Sequence, residues 1–371
     1  MSNWTADDHR FMSRALQLAR HGLYSTTPNP RVGCVLVKDG RVVGEGWHER
    51  AGADHAEVAA IKDAGPNAAG STAYLTLEPC CHQGRTPPCS DALLAAGVTA
   101  VVYAIDDPNP KVAGSGAAAL RDAGVTVRPG LMAAAAAELN LGFICRMQRG
   151  RPWVRLKLAA TLDGRTALAD GESRWITGKP ARTDAHRWRA RSCAVMTGIG
   201  TLLADDPLLD VRHIETPRQP LRVVVDNNLA IPTTAAMLQR GNGVLVATAS
   251  TDEDRLEAVR ATGAEVVQLN TARGRVALPR LFEALAAREI NEVTVEAGQT
   301  LNGALLAAGL VDELVVYYNA RIIGSSGRGM FVSPALASMD EAPGFAIHDV
   351  RMFGGDLRVV LRPAERPVGH V

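Results

Sequence analysis

The sequence predicts an α/β protein made of two layered domains, and three observations carry that prediction. The chain has 371 residues, more than one ordinary domain needs. Short apolar, strand-like runs alternate with helix-like segments through both halves, the pattern of a sheet covered by helices. The stretch Arg149-Gly150-Arg151-Pro152 interrupts the alternation and marks a boundary. The domains are therefore drawn at residues 1–147 and 148–371.

The first domain opens with Thr5, a capping hydroxyl, and Asp7-Asp8 in a first helical turn whose apolar face is Phe11, Ala15, Leu18 and Ala19. Residues 26–30 are a turn. Residues 32–37 form a short apolar strand, and Asp39-Gly40 folds it back onto a second strand from Arg41. Trp47-His48 leads to a helix headed by His55. Residues 73–77 are a strand. Ser90 is expected to cap a helix that Gly97 ends, followed by a buried strand over 98–105. The loop Asp107-Pro108-Asn109-Pro110 lies at that strand's carboxyl end, where open α/β sheets bind ligands. A helix over 116–123, a strand over 125–127, and an alanine-rich helix ending near Gly142 complete the domain.

In the second domain, strands are expected over 153–158, 194–198, 221–226, 244–248, 266–268, 293–296, 311–318 and 357–361. Helices are expected over 181–191, 252–262 and 279–287. Residues 161–165 are a turn, 171–178 a loop, and 324–329 a Gly/Ser-rich loop. Residues 297–303 read as a Gly-containing turn before a helix reaching Ala308, an arrangement that presents backbone N–H groups to a phosphate. No G-x-G-x-x-G follows a first strand, so a Rossmann dinucleotide domain is not expected.

Composition narrows the function. With 47% hydrophobic and 21% charged residues, the chain has ordinary globular composition. A net charge of +1 offers no footprint for nucleic acid, and no such partner is expected. The amino-terminal MSNWTADDHR lacks an apolar signal core, and no run is long and apolar enough to span a bilayer. The expected compartment is the cytoplasm, with no membrane partner. Six cysteines at 34, 80, 81, 89, 145 and 193 are too few and too uneven for a disulfide framework.

The chemistry concentrates in residues 55–89. His55 and Glu57 head a helix, Pro79-Cys80-Cys81 follows the strand at 73–77, and Cys89 closes a Gly- and Pro-rich loop. One imidazole and two thiolates give zinc three ligands and leave a fourth position for water. Zinc brings the pKa of such a water toward neutrality. Glu57 is too close to His55 for a comfortable fourth ligand and well placed to shuttle protons. Cys81 and His82 lie between the two sulfurs as rival ligands. Cys80 with Cys89 is preferred, because adjacent cysteines rarely aim two sulfurs at one metal.

H-x-E, then P-C, then a second Cys resembles the zinc-dependent base deaminases, whose Glu is the general acid/base. The usual P-C-x-x-C is stretched here, with eight residues between Cys80 and Cys89. Further motifs follow in order: T-P-N-P-R-V-G (27–33), P-C-C-H-Q-G-R-T-P-P-C (79–89), K-L-A-A-T-L-D-G-R-T (157–166), G-E-S-R-W-I-T-G (171–178), A-D-D-P-L-L-D-V-R (204–212) and V-E-A-G-Q-T-L-N-G-A-L (295–305). Together they make the chain resemble the bifunctional deaminase/reductases of riboflavin biosynthesis.

That resemblance implies a cytidine-deaminase-like three-layer domain followed by a dihydrofolate-reductase-like domain, with Zn2+ and NADPH as cofactors. It implies deamination of 2,5-diamino-6-(ribosylamino)pyrimidin-4-one 5'-phosphate, then reduction of the ribosyl group to ribityl. His55, Cys80 and Cys89 would hold the metal, with Glu57 catalytic. Asn29, His48, Arg85 and Asn109 would contact the first substrate, Arg85 through its phosphate. In the reductase, Ala159, Trp175, Thr201, Asp205, Asn227 and the loop Gly298, Gln299, Thr300, Leu301, Asn302, Gly303, Ala304 would contact NADPH. The family usually has Ser where Asn227 stands. Ser173, Arg189, Leu209, Arg212 and Glu296 would contact substrate, the two arginines holding its phosphate, while Lys157 polarises the reacting end. The expected partner is a small phosphorylated pyrimidine and the expected assembly a homo-oligomer. The alternative is a tRNA base deaminase with an accessory domain; scarce aromatics, 4%, disfavour it.

Overall fold

The computed structural model describes residues 4–81, 88–110, 112–240 and 243–364. The chain divides into two compact units, Met1–Gly150 and Arg151–Val371.

In the first unit, helix α1 (Ala6–Ala19) begins in a capping box. Thr5 Oγ1 accepts the Asp8 N–H at 3.0 Å, and the Asp8 carboxylate accepts the Thr5 N–H at 2.9 Å. Strands β1 (Gly33–Lys38) and β2 (Arg41–Trp47) form the expected hairpin, with Asp39 and Gly40 both at positive φ (50° and 73°) in its two-residue turn. Helix α2 (Ala56–Ala64), β3 (Thr72–Leu75), α3 (Cys89–Ala95), β4 (Ala100–Tyr103), α4 (Ser115–Asp122), β5 (Thr126–Pro129), α5 (Ala133–Leu139) and α6 (Leu141–Arg149) follow. The sheet order is β2-β1-β3-β4-β5, parallel from β3 to β5.

Strand alternation then decides which residues face which layer. Val35, Val37, Tyr74 and Val102 pack under α1 and α5 through Phe11, Met12, Leu131 and Ala136. Cys34, Leu36, Ala73, Leu75 and Val101 pack on the other side under α2, α3 and α4 through Ala56, Ala60, Leu93 and Leu120. The unit is three-layered, as expected. Two strand glycines set the layer spacing. A Cβ on Gly33 would lie 2.0 Å from the Ala15 carbonyl oxygen, and one on Gly46 would lie 2.4 Å from that of Ala56. Both helices rest directly on sheet backbone, which places the head of α2 at the sheet's end.

Three local expectations are corrected. Ser90 does not cap α3: the helix begins at Cys89 after Pro88, and the Ser90 hydroxyl donates to Asp91. The strand over 98–105 shrinks to β4, because the Val98 N–H turns back to the Leu93 carbonyl at the end of α3. The helix expected to end near Gly142 stops at Leu139 and restarts as α6. Asn140 breaks it by bonding the Arg31 backbone twice, accepting its N–H at 2.8 Å and donating to its carbonyl at 3.0 Å.

The second unit runs β6 (Trp153–Thr161), β7 (Arg165–Ala167), α7 (Lys179–Arg191), β8 (Ala194–Gly198), α8 (Ile199–Asp205), β9 (Leu221–Val225), β10 (Val244–Thr248), α9 (Glu253–Arg260), β11 (Glu265–Gln268), α10 (Leu278–Ala287), β12 (Glu292–Val295), α11 (Gln299–Ala307), β13 (Glu313–Asn319), β14 (Arg328–Gly329), β15 (Phe345–Phe353) and β16 (Asp356–Pro363). Nine strands form one sheet in the order β11-β10-β9-β8-β12-β6-β13-β16-β15. Pairing is parallel from β11 to β13 and antiparallel at the β16-β15 edge. Val154, Leu156 and Leu158 of β6 face a core closed by Leu281, Phe282 and Leu285 of α10 and Leu305 of α11. The opposite face of β6, with Arg155 and Lys157, lies toward α7. There Arg155, fully buried, is paired with Glu313 and Glu292 and lies 4.4 Å from the Trp188 ring.

The loop expected over 297–303 is mostly helix, since α11 starts at Gln299. Gly303 is helical and sits where the Val332 carbonyl oxygen approaches to 1.8 Å of an added Cβ. The glycine therefore marks close backbone approach rather than a turn. Helix α8 and edge strand β15 were not expected. Among the described residues no helix is long and apolar enough to cross a membrane.

Candidate functional site

Three elements bring the first constellation together. His55 caps α2, Cys80 lies just after β3, and Cys89 opens α3. Their ligand atoms lie within 4.8 Å of one another. His55 Nδ1 is 3.0 Å from Cys89 Sγ and 3.7 Å from Cys80 Sγ. Tetrahedral zinc with ordinary Zn–N and Zn–S bonds needs ligand separations of about 3.6 Å. A nitrogen and two sulfurs at these spacings fit that ion. The two sulfurs also compete for a proton. Hydrogen bonding from the Cys89 side chain, opposed by burial and aided by His55, pulls Cys80 down to about 4, and the same contact pushes Cys89 up. A divalent cation bound there would take both as thiolates. Cys81 is not part of this cluster. His82 and Arg85 lie outside the described residues.

Glu57, in the first turn of α2, is 4% exposed and hydrogen-bonds the Cys89 side chain. Burial pushes its carboxyl above the usual range, against the opposing charge of His55. A carboxyl raised in this way holds its proton to higher pH than an exposed glutamate, which suits a group that must both take and return one. His48, 3% exposed, stands edge-on to His55 with ring centroids 5.4 Å apart. Burial pushes its pKa down, so it is neutral. Its Nδ1–H donates to the Asp54 carbonyl at 2.9 Å, which leaves Nε2 to accept from Asn29 Nδ2 at 3.0 Å. The structure thus brings Asn29, His48, His55, Glu57, Cys80 and Cys89 into one site.

Asn109 occupies the loop after β4, its N–H donating to Asp107 Oδ1 at 2.8 Å. Glu78 ties that loop to the metal turn, and the sequence reading missed it. An acid between an apolar strand and Pro79 is a signal, because a carboxylate buried there requires donors.

The second constellation lies where β6, β12 and α7 meet. Arg189 of α7 grips Glu296 with both arms, Nε to Oε1 at 2.6 Å and Nη2 to Oε2 at 2.9 Å. Lys157 Nζ stands 3.7 Å from Glu296 Oε2. Burial pushes the Glu296 carboxyl up, but Arg189 and Lys157 outweigh it and hold the group well below the usual carboxylate range. His186, buried and edge-on to His213, is pushed down to about 3 by burial and by Arg189. Its Nδ1 accepts the Arg212 N–H at 3.2 Å and so anchors the segment bearing Arg212. Arg212 pairs with Asp210 at 3.3 Å and is 47% exposed. The Leu209 side chain is buried in the core, and its backbone has φ 51°, so only its main chain is left to meet solvent. Ser173 lies half-buried in the 171–178 loop.

Helices α8 and α11 start from adjacent parallel strands, and their first turns converge. Thr201 Oγ1 lies 3.6 Å from where a Gly298 Cβ would stand, and Leu301 packs at Gly198. Gln299, Thr300 and Leu301 are in the first turn of α11, where N–H groups lack helical partners. Asn302 is turned inward, donating to the Ala297 and Met330 carbonyls, and Gly303 is covered by Val332. Ala304 is exposed beyond them. The Trp175 ring is 64% exposed, stacked by Arg182 at 4.5 Å, while neighbouring Arg174 reaches Asp205. Ala159 lies in β6 beside Tyr317. Asn227 is committed within the fold: its Oδ1 accepts the Val276 N–H at 2.9 Å.

Residues 5–105 match the cytidine and deoxycytidylate deaminase zinc-binding region, and residues 152–356 match the RibD C-terminal domain. The chain is 47% identical to the riboflavin biosynthesis protein RibD of Escherichia coli, over 94% of this chain and 98% of that protein. It is 43% identical to the Haemophilus influenzae RibD, over 98% and 99%. Among solved structures, Acinetobacter baumannii RibD superposes with a TM-score of 0.89 at 43% identity, covering 97% of this chain and 99% of that one. The Thermotoga maritima diaminohydroxyphosphoribosylaminopyrimidine deaminase/5-amino-6-(5-phosphoribosylamino)uracil reductase gives 0.85 at 34%, covering 96% and 99%. The chain belongs to the RibD family, the bifunctional enzymes of riboflavin biosynthesis that join a zinc-dependent hydrolytic deaminase to an NADPH-dependent reductase.

Proposed function

We propose that the site around His55 deaminates a phosphorylated diaminopyrimidine, 2,5-diamino-6-(ribosylamino)pyrimidin-4-one 5'-phosphate. The cluster around Glu296 then guides reduction of the ribosyl group to ribityl. The observation that carries the first half is the His55, Cys80 and Cys89 triangle with buried Glu57 against it. His55, Cys80 and Cys89 would hold zinc, which when bound would supply an activated water near neutral pH. Glu57 would carry two protons in turn: one from the attacking water to the ring nitrogen, and then the one on the newly added hydroxyl to the amine, which leaves as ammonia as the C–N bond breaks and the carbonyl forms. The neutral His48 holds Asn29 with its NH2 turned inward, leaving the Asn29 carbonyl to accept from an amine of the ring. Arg85 is assigned the phosphate, as a charge-assisted contact.

In the reductase, NADPH when bound would supply a hydride for C1' of the opened sugar. The converging first turns at Thr201 and Gly298 to Leu301 favour its phosphates, and the exposed Trp175 ring offers a flat apolar face. Lys157, standing 3.7 Å from Glu296, donates toward the ring oxygen of the sugar as that bond opens. Arg189 spends three donors on Glu296 and the Asp210 carbonyl, so two of its five remain for substrate. Arg212, more exposed, is the better phosphate partner. The substrate is a small molecule, and assembly into a homo-oligomer and a cytoplasmic location belong to the same reading.

The test follows ammonia release and NADPH oxidation separately. Cys89→Ser is expected to abolish ammonia release while leaving reduction of the deaminated substrate within about twofold of wild type. Loss of both activities in a folded protein would mean one shared site. Ammonia released from oligonucleotides instead would mean a nucleic-acid deaminase.

A further inference from the structure

Glu78 lies two residues before Cys80, yet its carboxylate is engaged by backbone downstream of β4. It is 2% exposed. Its two oxygens accept three backbone N–H groups: Asp107 at 3.2 Å and Gly114 at 3.0 Å on Oε2, and Ala117 at 3.0 Å on Oε1. Its own N–H donates to the Ile105 carbonyl at 2.9 Å. These four bonds clasp both ends of the 106–114 loop that carries Asn109, together with the first turn of α4. Gly116 permits the approach, since an added Cβ would lie 1.8 Å from the Pro79 carbonyl oxygen. A buried carboxylate satisfied by three main-chain donors makes a rigid joint, stronger than bonds between neutral groups.

We propose that Glu78 is a positioning residue for deamination: it locks the Asn109 loop to the Pro79-Cys80 turn, so that the substrate contact and the metal share one frame. This rests on the reading of Asn109 as a substrate contact. Glu78 acts on binding through the loop and leaves the metal ligands and Glu57 alone. An amide at position 78 sets its NH2 against one of the three N–H groups, and that clash releases the loop.

The experiment measures deamination kinetics, zinc content and amide hydrogen exchange in the full chain for Glu78→Gln, Asn109→Ala and the double variant. Glu78→Gln is expected to raise KM about tenfold, the scale of one charged hydrogen bond, with kcat within about twofold. One zinc per chain is retained and exchange quickens over residues 106–117. Asn109→Ala is expected to raise KM similarly, and the double variant to be no worse than either alone. Merely losing folded protein lowers kcat and leaves KM unmoved, which would overturn the proposal. So would loss of zinc, unchanged exchange, or fully additive effects. If Asn109→Ala keeps the wild-type KM while exchange in Glu78→Gln still quickens, the Asn109 reading has failed and the joint itself stands. Where exchange does not change, the joint has failed. Glu78→Asp, too short to reach all three donors, serves as the second variant if Glu78→Gln folds poorly.

Discussion

Glu57→Gln is expected to bind zinc at the wild-type level and to lose deamination by about 10²- to 10⁴-fold, the usual contribution of a positioned acid/base. The substitution preserves shape, so the α2 head and His55 stay in place. What it removes is a carboxyl that can change protonation. Burial raises the Glu57 pKa in the wild type, so the group holds its proton to higher pH than an exposed glutamate and can return it to the leaving amine. The amide cannot. Reduction of the deaminated substrate is expected to be unaffected, because Lys157, Arg189 and Glu296 lie in the other unit. Persistent ammonia release in a zinc-replete Glu57→Gln would remove Glu57 from the mechanism.

Glu296→Gln is the second large effect, and it appears in both stability and activity. The side chain is 14% exposed and its charge balances Arg189, itself 12% exposed. Removing one partner of such a pair leaves the other charge uncompensated, at a cost of about 3 kcal/mol. For a unit of this size that is a fall in Tm of roughly 10 °C. Lys157 loses its neighbouring carboxylate as well, so reduction is expected to fall at least tenfold while deamination continues. The pH dependence has a definite sign. Glu296 is depressed in the folded unit, so its stabilisation is present above about pH 4.3, the ordinary glutamate value, and is lost as pH falls toward the lower folded value. The gap between wild type and variant should therefore narrow on acidification. Thermal unfolding measured between neutral pH and pH 3 checks it; a gap that widens in acid would contradict the pairing.

The legible parts of the chain were those where chemistry and local pattern coincide. Thr5 with Asp8, and Asp39-Gly40, act within a few residues, so their cap and turn could be read directly. The clustering of His55, Cys80 and Cys89 was legible because the residue types are selective, with His55 and Cys89 at helix starts and Cys80 in the segment that follows β3. Tertiary partners hid the rest. Asn140 looked like helix and breaks one because Arg31, far away in sequence, offers two backbone groups. Gly303 looked like a turn and is a helical contact with Val332. Edge strand β15 was hidden because most of it faces outward, with Ile347, Val350 and Met352 exposed and no alternation to mark it. Glu78 has three donors that all come from a loop and helix downstream. The committed Asn227 carbonyl and the inward Asn302 are likewise visible only in the fold.

The most direct measurement is zinc stoichiometry in purified wild type, Cys80→Ser, Cys89→Ser and Cys81→Ser, each assayed for ammonia release from the phosphorylated pyrimidine. The account predicts one zinc per chain and full deamination in wild type and Cys81→Ser, with both lost in Cys80→Ser and Cys89→Ser. A wild type that deaminates without zinc, or a Cys89→Ser variant that keeps both metal and activity, would contradict it.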